Sequence, residues 1–161
     1  VVLGKDRNAA ISEATAYIDL ADKLKVKFIR VMITDKPYPE NTDIALAEGT
    51  YKEICRYAKS KNVTPLIETN GILSDSKVMK EFIENTNCEN GGVLWDIHHP
   101  YRYFNETLEQ TFENIGKYVK YVHVKDSVMN NDKVQYKMIG QGDVPVLGAI
   151  KLLKENAGNV G

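Results

Sequence analysis

The sequence predicts an α/β fold organised on a parallel sheet, and three observations carry that reading. Short apolar runs rich in β-branched residues alternate with stretches of helical period. The order is one helix and then strand–helix repeated, at about thirty residues per unit, the length of a strand–helix–strand crossover. Crossovers of this kind are right-handed and generate parallel neighbours. No Gly-x-Gly-x-x-Gly follows a strand and no Gly-x-x-x-x-Gly-Lys-Ser/Thr occurs, so dinucleotide-binding and P-loop readings lose support. Two architectures remain: an open doubly wound sheet, or a sector of an eight-stranded β/α barrel.

Residues 8–24 carry Ala10, Ala14, Tyr17, Ile18, Ala21 and Leu24 at helical spacing. Residues 28–33 read as the first strand, and residues 34–41, with Pro37 and Pro39, as a loop. Thr42 or Asp43 is placed to cap a helix through Ile44, Ala47, Tyr51, Ile54, Cys55 and Ala58, which Lys61 and Asn62 end. Residues 63–68 are a second strand that tolerates Pro65 near its start. A turn at Thr69, Asn70 and Gly71 leads to a helix capped by Ser74 or Asp75 and running through Val78, Met79, Phe82 and Ile83. The glycine pair Gly91 and Gly92 opens the third strand, which stops at Asp96. Asn105 is expected to cap a helix through Leu108, Phe112 and Ile115. Residues 120–126 form the fourth strand, residues 133–139 a short strand, and residues 144–156 a last helix with Pro145 in its first turn.

At 161 residues the chain fits a single domain. Its 21 basic and 22 acidic residues leave a net charge of −1, which offers no electrostatic footprint for nucleic acid or an anionic membrane. No apolar run approaches the ~20 residues of a membrane span, and the start shows no signal-peptide pattern. Cys55 and Cys88 lack metal-ligand spacing and read as reduced thiols, so a cytoplasmic protein is the expectation.

The densest chemistry follows the third strand: Asp96, His98, His99, Pro100, Tyr101 and Arg102. Pro100 disfavours helical geometry at His99, so this cluster is expected on a loop at the C-terminal end of a buried strand. Glu68, Asp96 and His123 stand at or near the C-terminal ends of three successive strands. Parallel neighbours lie ~5 Å apart, so the three side chains can converge. Two carboxylates and an imidazole suit a divalent cation such as Mn²⁺, Mg²⁺, Co²⁺ or Zn²⁺. Taken singly, each is as readily a cap or a salt-bridge partner; it is their agreement in consecutive units that argues for a shared site.

At these residues a resemblance enters. Residues 66–70 (Leu-Ile-Glu-Thr-Asn), 95–99 (Trp-Asp-Ile-His-His), 123–127 (His-Val-Lys-Asp-Ser) and 140–145 (Gly-Gln-Gly-Asp-Val-Pro) are similar, in order and interval, to the xylose-isomerase-like barrel superfamily. The branch it resembles is that of sugar phosphate isomerases and epimerases, which includes ketose 3-epimerases and inosose dehydratase. The resemblance implies a (β/α)8 TIM barrel, of which residues 1–161 are one partial domain of about four central-to-late βα units. It would begin in the helix before the fourth strand and end with the seventh helix. In the family a Glu, an Asp, a His and a second Glu hold one divalent metal. The first three match Glu68, Asp96 and His123, with Glu68 also a proton-transfer carboxylate. The substrate-holding histidine of Asp-x-x-His matches His99; His98 has no match and reads as support. The second Glu has no counterpart here, because Glu155 lies inside a helical stretch.

The implied activity is metal-dependent isomerisation or epimerisation of a sugar or sugar phosphate through an ene-diolate. Lys125 and Arg102 are candidates for substrate or phosphate contacts, against the alternative of solvated rim charges. Asp126 is expected to orient His123 or a neighbouring loop, and one of Trp95, Tyr101 and Tyr103 to wall a sugar face. A lyase or dehydratase using the same chemistry is the first alternative. An apurinic endonuclease needs further Asp and His ligands, yet residues 132–136 read Asp-Lys-Val-Gln-Tyr and the chain has only three histidines. A non-catalytic half-barrel is the third, and its unpaired sheet edges predict a homo-oligomer.

Overall fold

The fold is described from a computed structural model covering residues 1–4 and 6–156. Helix α1 (Arg7–Leu24) starts where the Asp6 carboxylate accepts the N–H groups of Asn8 and Ala9. It ends at Lys25, whose left-handed φ of 58° closes the last turn. Strand β1 (Phe28–Val31) is followed by α2 (Ile44–Ser60), capped by Asp43. Strand β2 (Thr64–Glu68) leads through a single 3₁₀ turn at Gly71–Ser74 into α3 (Ser76–Thr86), capped by Asp75. Strand β3 (Gly92–Asp96), α4 (His98–Phe104), α5 (Leu108–Ile115) and β4 (Val119–His123) come next. An antiparallel hairpin, β5 (Asp126–Asn130) with β6 (Lys133–Lys137), precedes α6 (Val146–Glu155).

The sheet order β1-β2-β3-β4 settles the architecture. All neighbours are parallel and consecutive in sequence. A doubly wound sheet reverses its order at a switch point; this one does not, and it is a sector of a β/α barrel. A short extended segment also runs beside β1: Val2 bridges Met32, with Leu3 N–H donating to Met32 O at 2.9 Å. A strand end therefore precedes α1, where the sequence suggested that the chain begins in a helix.

Alternation along the strands sorts the two faces. Ile29, Val31, Ile67, Val93 and Trp95 pack with Ile18, Tyr51, Ile54, Phe82 and Ile115 in one buried core between sheet and helices. Arg30, Glu68, Asp96, Tyr121 and His123 alternate with these and face the other, concave side. Across that side Phe28 and Tyr121 meet edge-on at 6.3 Å.

Four expectations need correction. His99 and Pro100 are inside α4 rather than on a loop. Pro100 is the third residue of that helix, where its missing N–H has no intrahelical acceptor to lose. Asn105 closes α4 with a φ of 53°, and α5 is capped instead by a Thr107–Gln110 capping box. The fourth strand stops at His123, so Asp126 opens the hairpin. Strand β5 has no counterpart among the sequence expectations, which place Asp126 in the fourth strand and assign no element to residues 127–132.

Candidate active site

Parallel register places the three strand-end groups together. Asp96 pairs with His123, and Glu68 pairs with Leu94, two residues before Asp96 and on the same face of the sheet. Ligand-type atoms of Glu68, Asp96 and His123 all lie within 4.8 Å of one another. Glu68 and Asp96 are fully buried.

Buried carboxylates demand partners. Glu68 Oε1 meets His123 Nδ1 at 2.9 Å, and Glu68 Oε2 accepts from Arg30 Nε at 2.9 Å and from its Nη2 at 2.5 Å. Asp96 Oδ1 accepts the backbone N–H of His98 at 3.2 Å. Asp96 Oδ2 has no aligned hydrogen bond, although the Lys125 ammonium stands 2.5 Å away and His99 Nε2 3.5 Å away. Thr69 fixes the backbone beneath: its hydroxyl accepts from Asp96 N–H at 2.9 Å.

The donors and acceptors define the His99 tautomer. His99 Nδ1 lies 2.7 Å from the Thr69 carbonyl, which can only accept, so the ring proton is on Nδ1. Its Nε2 lone pair then faces Lys125 Nζ at 3.1 Å. Burial holds the His99 pKa below the ordinary imidazole value, consistent with a neutral ring. Burial pushes the His98 pKa down to about 4. Ser127 Oγ receives a hydrogen bond from Arg102 and lies 3.0 Å from His98 Nε2. His98 Nδ1 is left buried without a partner.

Asp126 holds a neighbouring loop, with all its hydrogen bonds going to backbone N–H groups. They come from Ser127, Gly140, Gly142 and Val144, at 2.8–3.2 Å. Burial raises its carboxyl pKa, but the four donors outweigh that and leave it below the ordinary value. Gly142 is needed there: a Cβ would lie 2.0 Å from Asp126 Oδ1. Arg102 ties the same loop down by donating to Ser127 O, Ser127 Oγ and Asp143.

Six of the singled-out residues thus gather at one place: Glu68, Asp96, His123, His99, His98 and Lys125. Arg102 and Asp126 belong to the adjoining clasp. Of the three aromatics, Tyr103 lies 5.8 Å from the His99 ring, whereas Trp95 is buried against Phe112 on the helix side and Tyr101 donates to Asp143 O. Three participants were not read from sequence. Arg30 had a signal, as the one charge in an apolar strand. Thr69 and Tyr136, whose ring centroid lies 5.5 Å from His98, had none.

The sequence pattern of the xylose isomerase-like TIM barrel family matches residues 3–158, and the chain belongs to that family. Among solved structures it is similar to a xylose isomerase domain protein from Planctomyces limnophilus, at 21% identity and a TM-score of 0.77 over 94% of this chain and 56% of that one. D-psicose 3-epimerase with D-tagatose, from Clostridium cellulolyticum, gives 17%, 0.76, 96% and 55% in the same order. The IOLI protein with a zinc atom gives 15%, 0.77, 96% and 60%. The chain therefore spans little more than half the length of these structures. Comparison with curated proteins gives no match.

Proposed function

We propose that the protein containing this chain is a metal-dependent isomerase or epimerase acting on a sugar or sugar phosphate. The observation that carries it is the convergence of Glu68, Asp96 and His123 within 4.8 Å at the ends of three adjacent strands. Family membership and neighbours that include a ketose 3-epimerase support the substrate class. The donor set fits a divalent cation: two buried carboxylates and an imidazole whose ligand-type atoms converge, with Asp96 Oδ2 held only by a flexible ammonium. Such an ion supplies positive charge against the oxyanion that develops when a proton leaves the carbon beside a carbonyl.

The residues of the chain supply the rest. Glu68 is the proton-transfer carboxylate, with Arg30 holding Oε2 and leaving Oε1 toward His123 and the concave side. His99 is neutral and fixed by Thr69, so it presents Nε2 to a substrate hydroxyl without carrying charge. Tyr103 and Tyr136 flank the histidines. A second carboxylate, on the opposite face of the substrate, has no counterpart among the 161 residues.

The test uses the full-length protein. Metal content is measured alongside Glu68→Gln and His123→Ala, and solvent deuterium exchange is followed with a panel of ketoses and ketose phosphates. Exchange at the carbon beside the carbonyl, lost in Glu68→Gln, is expected. Unchanged metal content in both variants would sink the site; turnover without exchange would point to hydride transfer or hydrolysis instead.

A further inference from the structure

The two cations at the buried carboxylates are held in different ways. Arg30 grips Glu68 Oε2 with two N–H donors at 2.9 and 2.5 Å, a fixed planar contact. Lys125 pairs with Asp96 Oδ2 as a single point charge at 2.5 Å, with no planar fork to fix it. Its ammonium already has a second acceptor, His99 Nε2, at 3.1 Å. Asp96 Oδ1 is spoken for by the His98 N–H, so Oδ2 is the oxygen Asp96 has left to offer a cation. The ammonium therefore sits on the atom that a divalent ion needs.

We infer that the Lys125 ammonium is a placeholder cation: it neutralises Asp96 Oδ2 when no divalent ion is bound, and it is displaced toward His99 when one arrives. The inference rests on the reading of Glu68, Asp96 and His123 as a cation site. Its physical basis is that a fully buried carboxylate without a counter-charge is costly, so a site that must persist empty needs a cation of its own. A lysine suits this better than an arginine, because a point charge on a flexible stem can leave without breaking a planar fork. An ammonium and a divalent ion cannot share one oxygen, since at ~4 Å or less their repulsion is strong wherever water is excluded. Displacement also gives Lys125 its task. Once off Asp96, its N–H donors are free for a substrate oxygen beside His99, so ion binding readies the substrate contact.

The sign of the effect makes this testable. Removing a residue that supports a metal ligand weakens metal binding, typically by ~10–100-fold. Removing a placeholder strengthens it. Titration calorimetry of Mn²⁺, and separately of Zn²⁺, into the metal-free full-length protein should show Lys125→Met binding roughly tenfold more tightly than wild type, with electrostatics at a partly exposed site setting that scale. Lys36→Met, which removes the same charge from a residue paired with Glu40 instead, should leave affinity unchanged. Equal or weaker binding by Lys125→Met overturns the placeholder and leaves the cation site standing. So does equal tightening by both variants, which would reflect net charge alone. No binding of either ion by wild type or variant overturns the cation site itself, and the placeholder with it.

Discussion

The ends of β2, β3 and β4 and the clasp around Asp126 adjoin, but they are built on opposite principles. At the strand ends, position comes from backbone register: Asp96 opposite His123 and Glu68 opposite Leu94. The sheet is rigid and its helix side is closed by core packing, so each terminal side chain inherits its place from many residues at once. In the clasp, position comes from single polar contacts. One carboxylate collects four backbone N–H groups, and one guanidinium joins Ser127 to Asp143. Substitution at a strand end should therefore remove chemistry with little loss of fold, whereas substitution in the clasp should loosen the structure and reach the chemistry only through Ser127 and His98.

The largest effect is expected for Glu68→Gln in the full-length protein. Loss of the proton-transfer carboxylate should lower kcat by ~10²–10⁴-fold while the melting temperature shifts little. A melting temperature that collapses along with kcat would erase the contrast. Asp126→Ala should behave in reverse. Four donors lose their acceptor, and the melting temperature should drop by about 5–10 °C, read by scanning calorimetry.

Acid should act on the same carboxyl. Its folded pKa lies below the unfolded value, so the stability it confers is complete above an unfolded carboxyl value of ~3.9 and is lost as pH falls through the lower folded value. Asp126→Asn should flatten that limb of a stability–pH profile; an unchanged limb would mean that other carboxylates dominate it. Arg102→Met should come next in size, a loss of a few degrees, with the Ser127–His98 contact loosened in NMR spectra of the imidazole. Smallest is Tyr136→Phe or Tyr136→Ala, expected to raise KM by several-fold at most with kcat retained. A kcat effect there would make the hairpin part of the chemistry.

The motifs at residues 66–70, 95–99 and 123–127 were legible because strand ends are local: an apolar run bounded by turn residues fixes where a strand stops and which residue stands there. Helices α2 and α3 were legible for the same reason, their aspartate caps being adjacent in sequence to the periods they open. Arg30 was readable in principle, since a charge inside the run 28–33 needs a partner. Strand β5 and the helix at Pro100 were not. The hairpin is stabilised by pairing with β6 and by Asp126 reaching Gly140 and Gly142, contacts spaced 14 and 16 residues apart. Helix α4 survives the bias against helical geometry before a proline because His99 Nδ1 is held by Thr69, 30 residues away, and because the first helical turn has no hydrogen bond for Pro100 to break.

By itself, then, the sequence determined the alternation of strands and helices and the identity of three strand-end groups, since both depend on spacing along the chain, and its motifs carried the family resemblance. Only the tertiary structure decided that Arg30 and Lys125 already answer the two buried charges, which ring nitrogen of His99 carries the proton, and that Asp126 serves the loop rather than His123. Those outcomes depend on which donors and acceptors remain once the sheet has brought distant residues within hydrogen-bonding reach, and no local pattern encodes that remainder.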